Sequence, residues 1–323
     1  MFVRFHRPLA AAGVDRQVLS RHRRRNHLRS AVLLGGIVGW MALVGWLVAG
    51  DVGILWAAGG TAVLMLAQPV RSTTLLRALY GAVPLGPSQA PDLFAATAEL
   101  ARRAELPRVP QILYIPRPEM IALSTGWGSD SAVALSDGML RRMGARELVA
   151  VLAHEISHLR AGDLRLLRLA EAAGRLTRAL AFAGVLLTAF YLPGMTDGGE
   201  EVPWLAILAV VVAPLVADLL TLTLSRTREF EADSGAAELT GDPGALISAL
   251  TRLDAIQGGG WERLRRQAAP TWLRLIRTHP TTAERVARLA ELAPPRPRPW
   301  LVLPDILLPS DVAGTPVVRR WWR

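Results

Sequence analysis

Ala31 to Gly50 is a run of twenty residues without a charge, the length an α-helix needs to cross a hydrocarbon core of about 30 Å. Only Asp51 separates it from a second apolar run, Val52 to Gln68, so the pair reads as a tight transmembrane hairpin with Asp51 and Gly53 in its turn. The composition agrees: 51% of the 323 residues are hydrophobic and 20% charged, with a mean hydropathy of +0.28, too apolar for an ordinary soluble domain. A cleaved signal peptide fits poorly, because its core would be shorter and no second run would follow. Residues 1–30 form a basic segment with eight Arg and one acid, Asp15. By the positive-inside rule this flank stays in the cytoplasm and both hairpin ends return there. The net charge of +10 is concentrated in this block, which argues against nucleic acid as a partner and for a lipid bilayer.

A second apolar pair, Ala179 to Leu192 and Val202 to Leu224, encloses an acidic loop at Pro193 to Glu201 that is expected outside. The fourteen residues of the first stretch suit either a span or a buried core helix. Asp218 lies near the cytoplasmic end of the second stretch, within reach of water. Between the pairs, 69–178 reads as a soluble segment: a helix over Ala90 to Glu105, short strands at Gln111 to Tyr114, Met120 to Ser124 and Ser131 to Leu135, and one or two helices over Met139 to Arg178. Residues 225–293 are polar with a helical pattern. The tail, 294–323, is rich in Pro, Arg and Trp, and suits either a membrane interface or disorder. The fold class expected is a membrane protein, mostly α with a small sheet (α+β), and about four transmembrane helices.

The chemistry starts at Val151 to Leu159, V-L-A-H-E-I-S-H-L. On a helix His154 and His158, at i and i+4, share a face and can bind one Zn²⁺, while Glu155 lies about 100° around and can reach water at the metal. Cysteine is absent, and His6, His22 and His27 lie in the basic segment, which leaves His279 as the one other imidazole. A third ligand is therefore expected from a carboxylate. Ser225 to Asp233, S-R-T-R-E-F-E-A-D, offers Glu229 and Asp233, again i and i+4, so that one can ligate while the other orients a ligating His. Glu231 points elsewhere. Asp163 is read as structural, and Arg226 and Arg228 as either membrane-flanking charges or site residues.

Three segments, A-H-E-I-S-H-L-R-A-G-D (Ala153 to Asp163), S-R-T-R-E-F-E-A-D and T-H-P-T-T-A-E-R-V (Thr278 to Val286), in this order and with a hydrophobic hairpin interposed, make the chain resemble the HtpX-like membrane-integrated zinc metallopeptidases, relatives of the CAAX prenyl proteases. The resemblance implies a zincin-type, gluzincin-like catalytic domain with one zinc held by His154, His158 and Glu229. Glu155 would be the general base and Asp233 a supporting partner. It puts His279 near the oxyanion with Arg285 in support; a turn histidine before Pro280 is the other reading. It further implies a cell-membrane endopeptidase, facing the cytoplasm, that acts on misfolded or damaged membrane proteins. Family members often carry N-A-F-A-T-G before the zinc helix; here Ile121 stands in place of that Asn, a departure that bears on substrate contacts. A CAAX-type protease would need further spans, and a signal transducer would need an outside sensor larger than either loop. A non-catalytic scaffold would have no use for Glu155 beside a metal site.

Overall fold

The computed structural model describes residues 14–66, 72–126, 128–198, 204–257 and 280–293. The elements run α1 (Arg16–Leu66), α2 (Ser72–Tyr80), β1 (Val83–Pro84), α3 (Pro91–Arg103), β2 (Gln111–Ile115), β3 (Ala122–Thr125), β4 (Ala132–Ser136), α4 (Asp137–Arg142), α5 (Ala145–Ala161), α6 (Asp163–Gly198), α7 (Trp204–Thr240), α8 (Pro243–Gln257) and α9 (Thr282–Leu292). The chain is mostly helical with one small mixed sheet, as expected. Among the described residues, three helices are long and apolar enough to cross a membrane: Arg16–Val63 within α1, Leu169–Phe190 within α6 and Ile207–Thr240 within α7.

The expected hairpin appears inside α1. Non-helical backbone at Ala49 and Gly50, the latter at φ 61°, breaks the helix, a conformation that glycine adopts without steric cost. The two arms then pack together: Thr61 Oγ1 lies 3.1 Å from Met41 Sδ, and a methyl group on Gly45 would sit 2.5 Å from the Gly53 carbonyl oxygen. Ile37, Met41 and Ala57 of these arms bury against Ala170 and Ala173 of α6 and Leu224 of α7. Large side chains such as Trp46, Trp56, Phe182 and Leu215 remain exposed around this bundle, as surfaces in contact with lipid do.

The loop expected at Pro193 to Glu201 is helical as far as Gly198, and 199–203 lie outside the described residues. Proline reads as a stop in water, whereas apolar membrane helices carry it, as α7 does at Pro214. The boundary expected at 224/225 likewise falls inside α7, which continues unbroken from its apolar half into the segment bearing Glu229 and Asp233. Asp218 is paired with Arg178 of α6 at 2.6 Å.

The sheet has the order β1-β2-β4-β3, with β2 and β4 parallel and the other pairs antiparallel. β3 is therefore an edge. Its expected position, and those of β2 and β4, agree with the sequence reading to within one or two residues. One main core joins the sheet to α3, α5, α8 and α9. Leu148, Leu152 and Ile156 form the i, i+4, i+8 stripe that sinks α5 into it, each contributing about 1.5–3 kcal/mol.

From Arg16 the basic segment is part of α1, and its inner face docks on α7 and α9. Val14 and Leu19 enter the main core, His22 meets Glu291 at 2.8 Å, Arg23 forks onto Glu238 at 3.0 and 2.5 Å, and Asn26 donates to Glu231 at 3.1 Å. Alternating Arg and His concealed this docking face in the sequence.

Candidate metal centre

α5 begins at Gly144, whose N–H donates to the Glu147 carboxylate three residues on (2.9 Å). It ends at Gly162 in the left-handed region, φ 66°, with its N–H turned back onto the last carbonyls. That reversal puts Asp163, the first residue of α6, against the zinc-motif helix: His158 Nδ1 donates to Asp163 Oδ2 at 2.7 Å. α7 packs along α5. A Cβ on Gly235 would come within 2.9 Å of Ser157 Cβ, so glycine there allows the two helices their close approach and brings Glu229 and Asp233 to the histidines.

His154 Nε2 and His158 Nε2 face each other at 3.2 Å. Glu229 Oε2 is 3.6 Å from the first and Glu229 Oε1 4.0 Å from the second. One ligating atom from each of the three residues lies within 4.8 Å of the others. Each imidazole uses its second nitrogen on a carboxylate, His158 on Asp163 and His154 on Asp233 (3.1 Å). A carboxylate only accepts, so each Nδ1 carries the proton and the two Nε2 lone pairs converge. Converging lone pairs repel unless a cation lies between them, and two nitrogens at about 2.0–2.1 Å from a tetrahedral metal are about 3.3 Å apart.

Both orienting carboxylates are held by arginine. Arg285 of α9 donates from Nε (2.8 Å) and Nη2 (2.6 Å) to Asp233, with its Nη1 3.3 Å from Glu229. Arg228 of α7 clamps Asp163 in a fork, both partners buried. Glu155, Asp163, Glu229 and Asp233 thus outnumber Arg228 and Arg285 by two negative charges, the deficit a divalent cation cancels. A proton on His154 can supply one of these two charges when no metal is bound. Burial disfavours the His154 imidazolium, but hydrogen bonds to Asp233 and Glu229 outweigh burial and raise its pKa to about 10. Arg285 is buried too, and the Asp233 and Glu229 carboxylates hold its pKa above the ordinary guanidinium value.

His154, Glu155, His158, Glu229 and Arg285 line a cleft of about 640 Å³, together with Met120 to Ser124 at the β3 edge and Leu246, Leu250 and Leu253 of α8. Residues 87–293 match the peptidase family M48. The chain belongs to that family. A protease HtpX homolog of Acaryochloris marina is 37% identical over 282 residues, covering 83% of this chain and 94% of its own length. Another from Methylibium petroleiphilum is 32% identical over 286 residues, covering 84% and 99%. The crystal structure of S. mikatae Ste24p shares the fold, with a TM-score of 0.51 at 22% identity over 84% of this chain and 66% of that one. As an M48 peptidase with membrane-spanning helices, the chain is a membrane metalloprotease.

Among the site residues expected for this M48 chain, His154, Glu155, His158, Glu229, Asp233 and Arg285 come together; His279 lies outside the described residues. Glu231 is turned away, toward Asn26. Asp163 and Arg228, read from the sequence as structural and as ambiguous, form the second orienting pair. The signal for Asp163 is the Gly162–Asp163 step directly after the motif, since a left-handed glycine folds the next residue back on the helix it ends. Ile121, in place of the family Asn, lines the cleft and packs with Leu123 against the Leu113, Ile115 and Ala134 cluster.

Proposed function

We propose that the chain is a zinc-dependent endopeptidase of the cell membrane, with its catalytic part on the cytoplasmic side, hydrolysing peptide bonds in misfolded or damaged membrane proteins. The observation that carries the reading is the convergence of His154, His158 and Glu229, with Glu155 in the same cleft, beneath an open strand edge. Two imidazoles and one carboxylate suit zinc and leave a position for water. Bound there, the metal would polarise the scissile carbonyl and acidify water.

The protein's own residues supply the rest. Ser136 N–H donates to the Ile121 carbonyl, so the antiparallel alternation directs the main-chain groups of Ala122 and Ser124 off the sheet edge. An extended peptide can pair there as an added strand, held by contacts that ignore side-chain identity, which suits varied unfolded substrates. Glu155 accepts the proton of the attacking water and returns it to the leaving amine. Asp163 and Asp233 keep both imidazoles in the ligating tautomer, and Arg285 holds α9 over the cleft.

The names of the HtpX relatives support proteolysis, and the placement of the cleft next to three apolar helices supports membrane-bound substrates. The test is cleavage of an unfolded protein such as casein by purified wild type and Glu155→Gln, with bound metal measured in both. The expected outcome is activity lost by at least about a hundredfold in a variant that still holds one metal per chain. Equal cleavage by both proteins overturns the assignment of Glu155, and absence of metal from the wild type overturns the metal centre.

A further inference from the structure

We propose that Arg25 and Arg29 of α1, with Arg288 of α9 beside them, bind the phosphate headgroup of an anionic phospholipid.

Arg25, Leu28, Arg29 and Val32 follow the i, i+3, i+4, i+7 spacing of one helix face. All four are exposed, Leu28 and Val32 at 65% each. The adjoining face is engaged, with His22, Arg23 and Asn26 on Glu291, Glu238 and Glu231. Arg25 and Arg29 have no hydrogen bond or ion pair among the described residues. The helix thus divides into a side docked on the catalytic part and a side facing outward where the uncharged run begins.

Arg288 reaches this outward side from α9. Its guanidinium lies over the Phe230 ring at 3.8 Å, and its Nη1 is 3.5 Å from Asn26 Oδ1, next to Arg25 in the chain. Burial first, and then the charges of Arg25 and Arg29, push its pKa down to about 10. The acids nearby are already in use: Glu291 meets His22, Glu231 meets Asn26, and Asp233 is held by Arg285 and His154. Three like charges therefore adjoin, with Glu291 and Asp233 acting on Arg288 only through space. A phosphodiester brings the missing negative charge and oxygens that match guanidinium donors. Leu28 and Val32 lie on the same stripe toward the bilayer and meet acyl chain, so an amphiphile satisfies both halves of the face where a free anion satisfies one. Because Arg288 follows Arg285 by one helical turn, neutralising the cluster also removes a repulsion that pushes α9 from α1.

The test uses the full chain in nanodiscs of phosphatidylcholine with and without phosphatidylglycerol. Lipid retained on the protein is counted by native mass spectrometry, and the thermal midpoint is followed. The wild type is expected to retain phosphatidylglycerol preferentially and to melt higher in its presence. R25Q, R29Q and R288Q each reduce the preference about fivefold, and the triple variant loses the thermal response. R16Q/R24Q, which removes equal charge from exposed positions of α1 off this stripe, leaves both unchanged. Equal loss in R16Q/R24Q and in R25Q/R29Q would mean a diffuse field rather than a site and overturns the proposal. So does displacement of the lipid by millimolar inorganic phosphate, which would mark a free-anion site.

Discussion

Arg228 and Arg285 look alike in the sequence and perform parallel tasks on different helices: each clamps the carboxylate that orients one histidine. Arg228→Ala leaves Asp163, 2% exposed, without its cation, which is expected to cost about 3–5 kcal/mol. Zinc affinity should weaken about 10–100-fold. Chelator competition and thermal melts of wild type, Arg228→Ala and Arg228→Lys check this, with Lys intermediate because it keeps the charge but not the fork. A second consequence concerns protons. With its pKa near 10 against an ordinary 6.5, His154 is charged in the metal-free protein at neutral pH. The stability it contributes is complete below about pH 6.5 and is lost as pH rises through about 10. Metal affinity runs the other way, strengthening over that range, because the cation must displace the proton. Zinc titration calorimetry at pH 7 in buffers of different ionisation enthalpy should report release of about one proton.

At the scale of elements, short strands bounded by Pro and Gly and the spacing of the zinc motif were legible, because local periodicity determines both. What was not legible depended on partners far along the chain. The boundary expected at 224/225 followed the change in polarity, yet α7 has no helix-breaking residue there and runs on. Asp163 gained its role only when Arg228, 65 residues later, packed against it. The N-terminal half of α1 read only as a basic cytoplasmic flank because its docking contacts, Glu231, Glu238 and Glu291, lie more than 200 residues away. Gly235 belongs to the same class. Gly235→Ala is a favourable change for an isolated helix, but here a Cβ meets Ser157, so it should separate α5 from α7. The expected result is a loss of about 1–3 kcal/mol in thermal or denaturant unfolding, with weaker metal binding. Gly235→Ala combined with Ser157→Gly should recover both.

For the whole molecule, the decisive geometry is the reversal of α1 at Ala49 and Gly50. It places the exposed Asp51 at one end of the bundle and the docked N-terminal half, with the metal centre, at the other. The absence of cysteine makes this easy to read. Asp51→Cys should react with a membrane-impermeant maleimide on intact cells, whereas Ser20→Cys, also exposed, should react only after lysis. The reverse pattern would invert the topology proposed for the catalytic part.

The unbroken course of α7 has a mechanical consequence. Glu229 stands five residues beyond Leu224, the last residue of the apolar half, a rise of about 7 Å. An extended polypeptide leaving the hydrocarbon gains about 3.3 Å per residue, so it reaches that height after only two or three residues. Because Glu229 and the apolar half share one rigid rod, that height is fixed like a stop on a gauge. On the proposed reading, the scissors stand at the bilayer surface. A membrane protein is then cut beside the segment that anchors it, where a loosened chain first comes within reach, and a tightly folded domain held further out is spared.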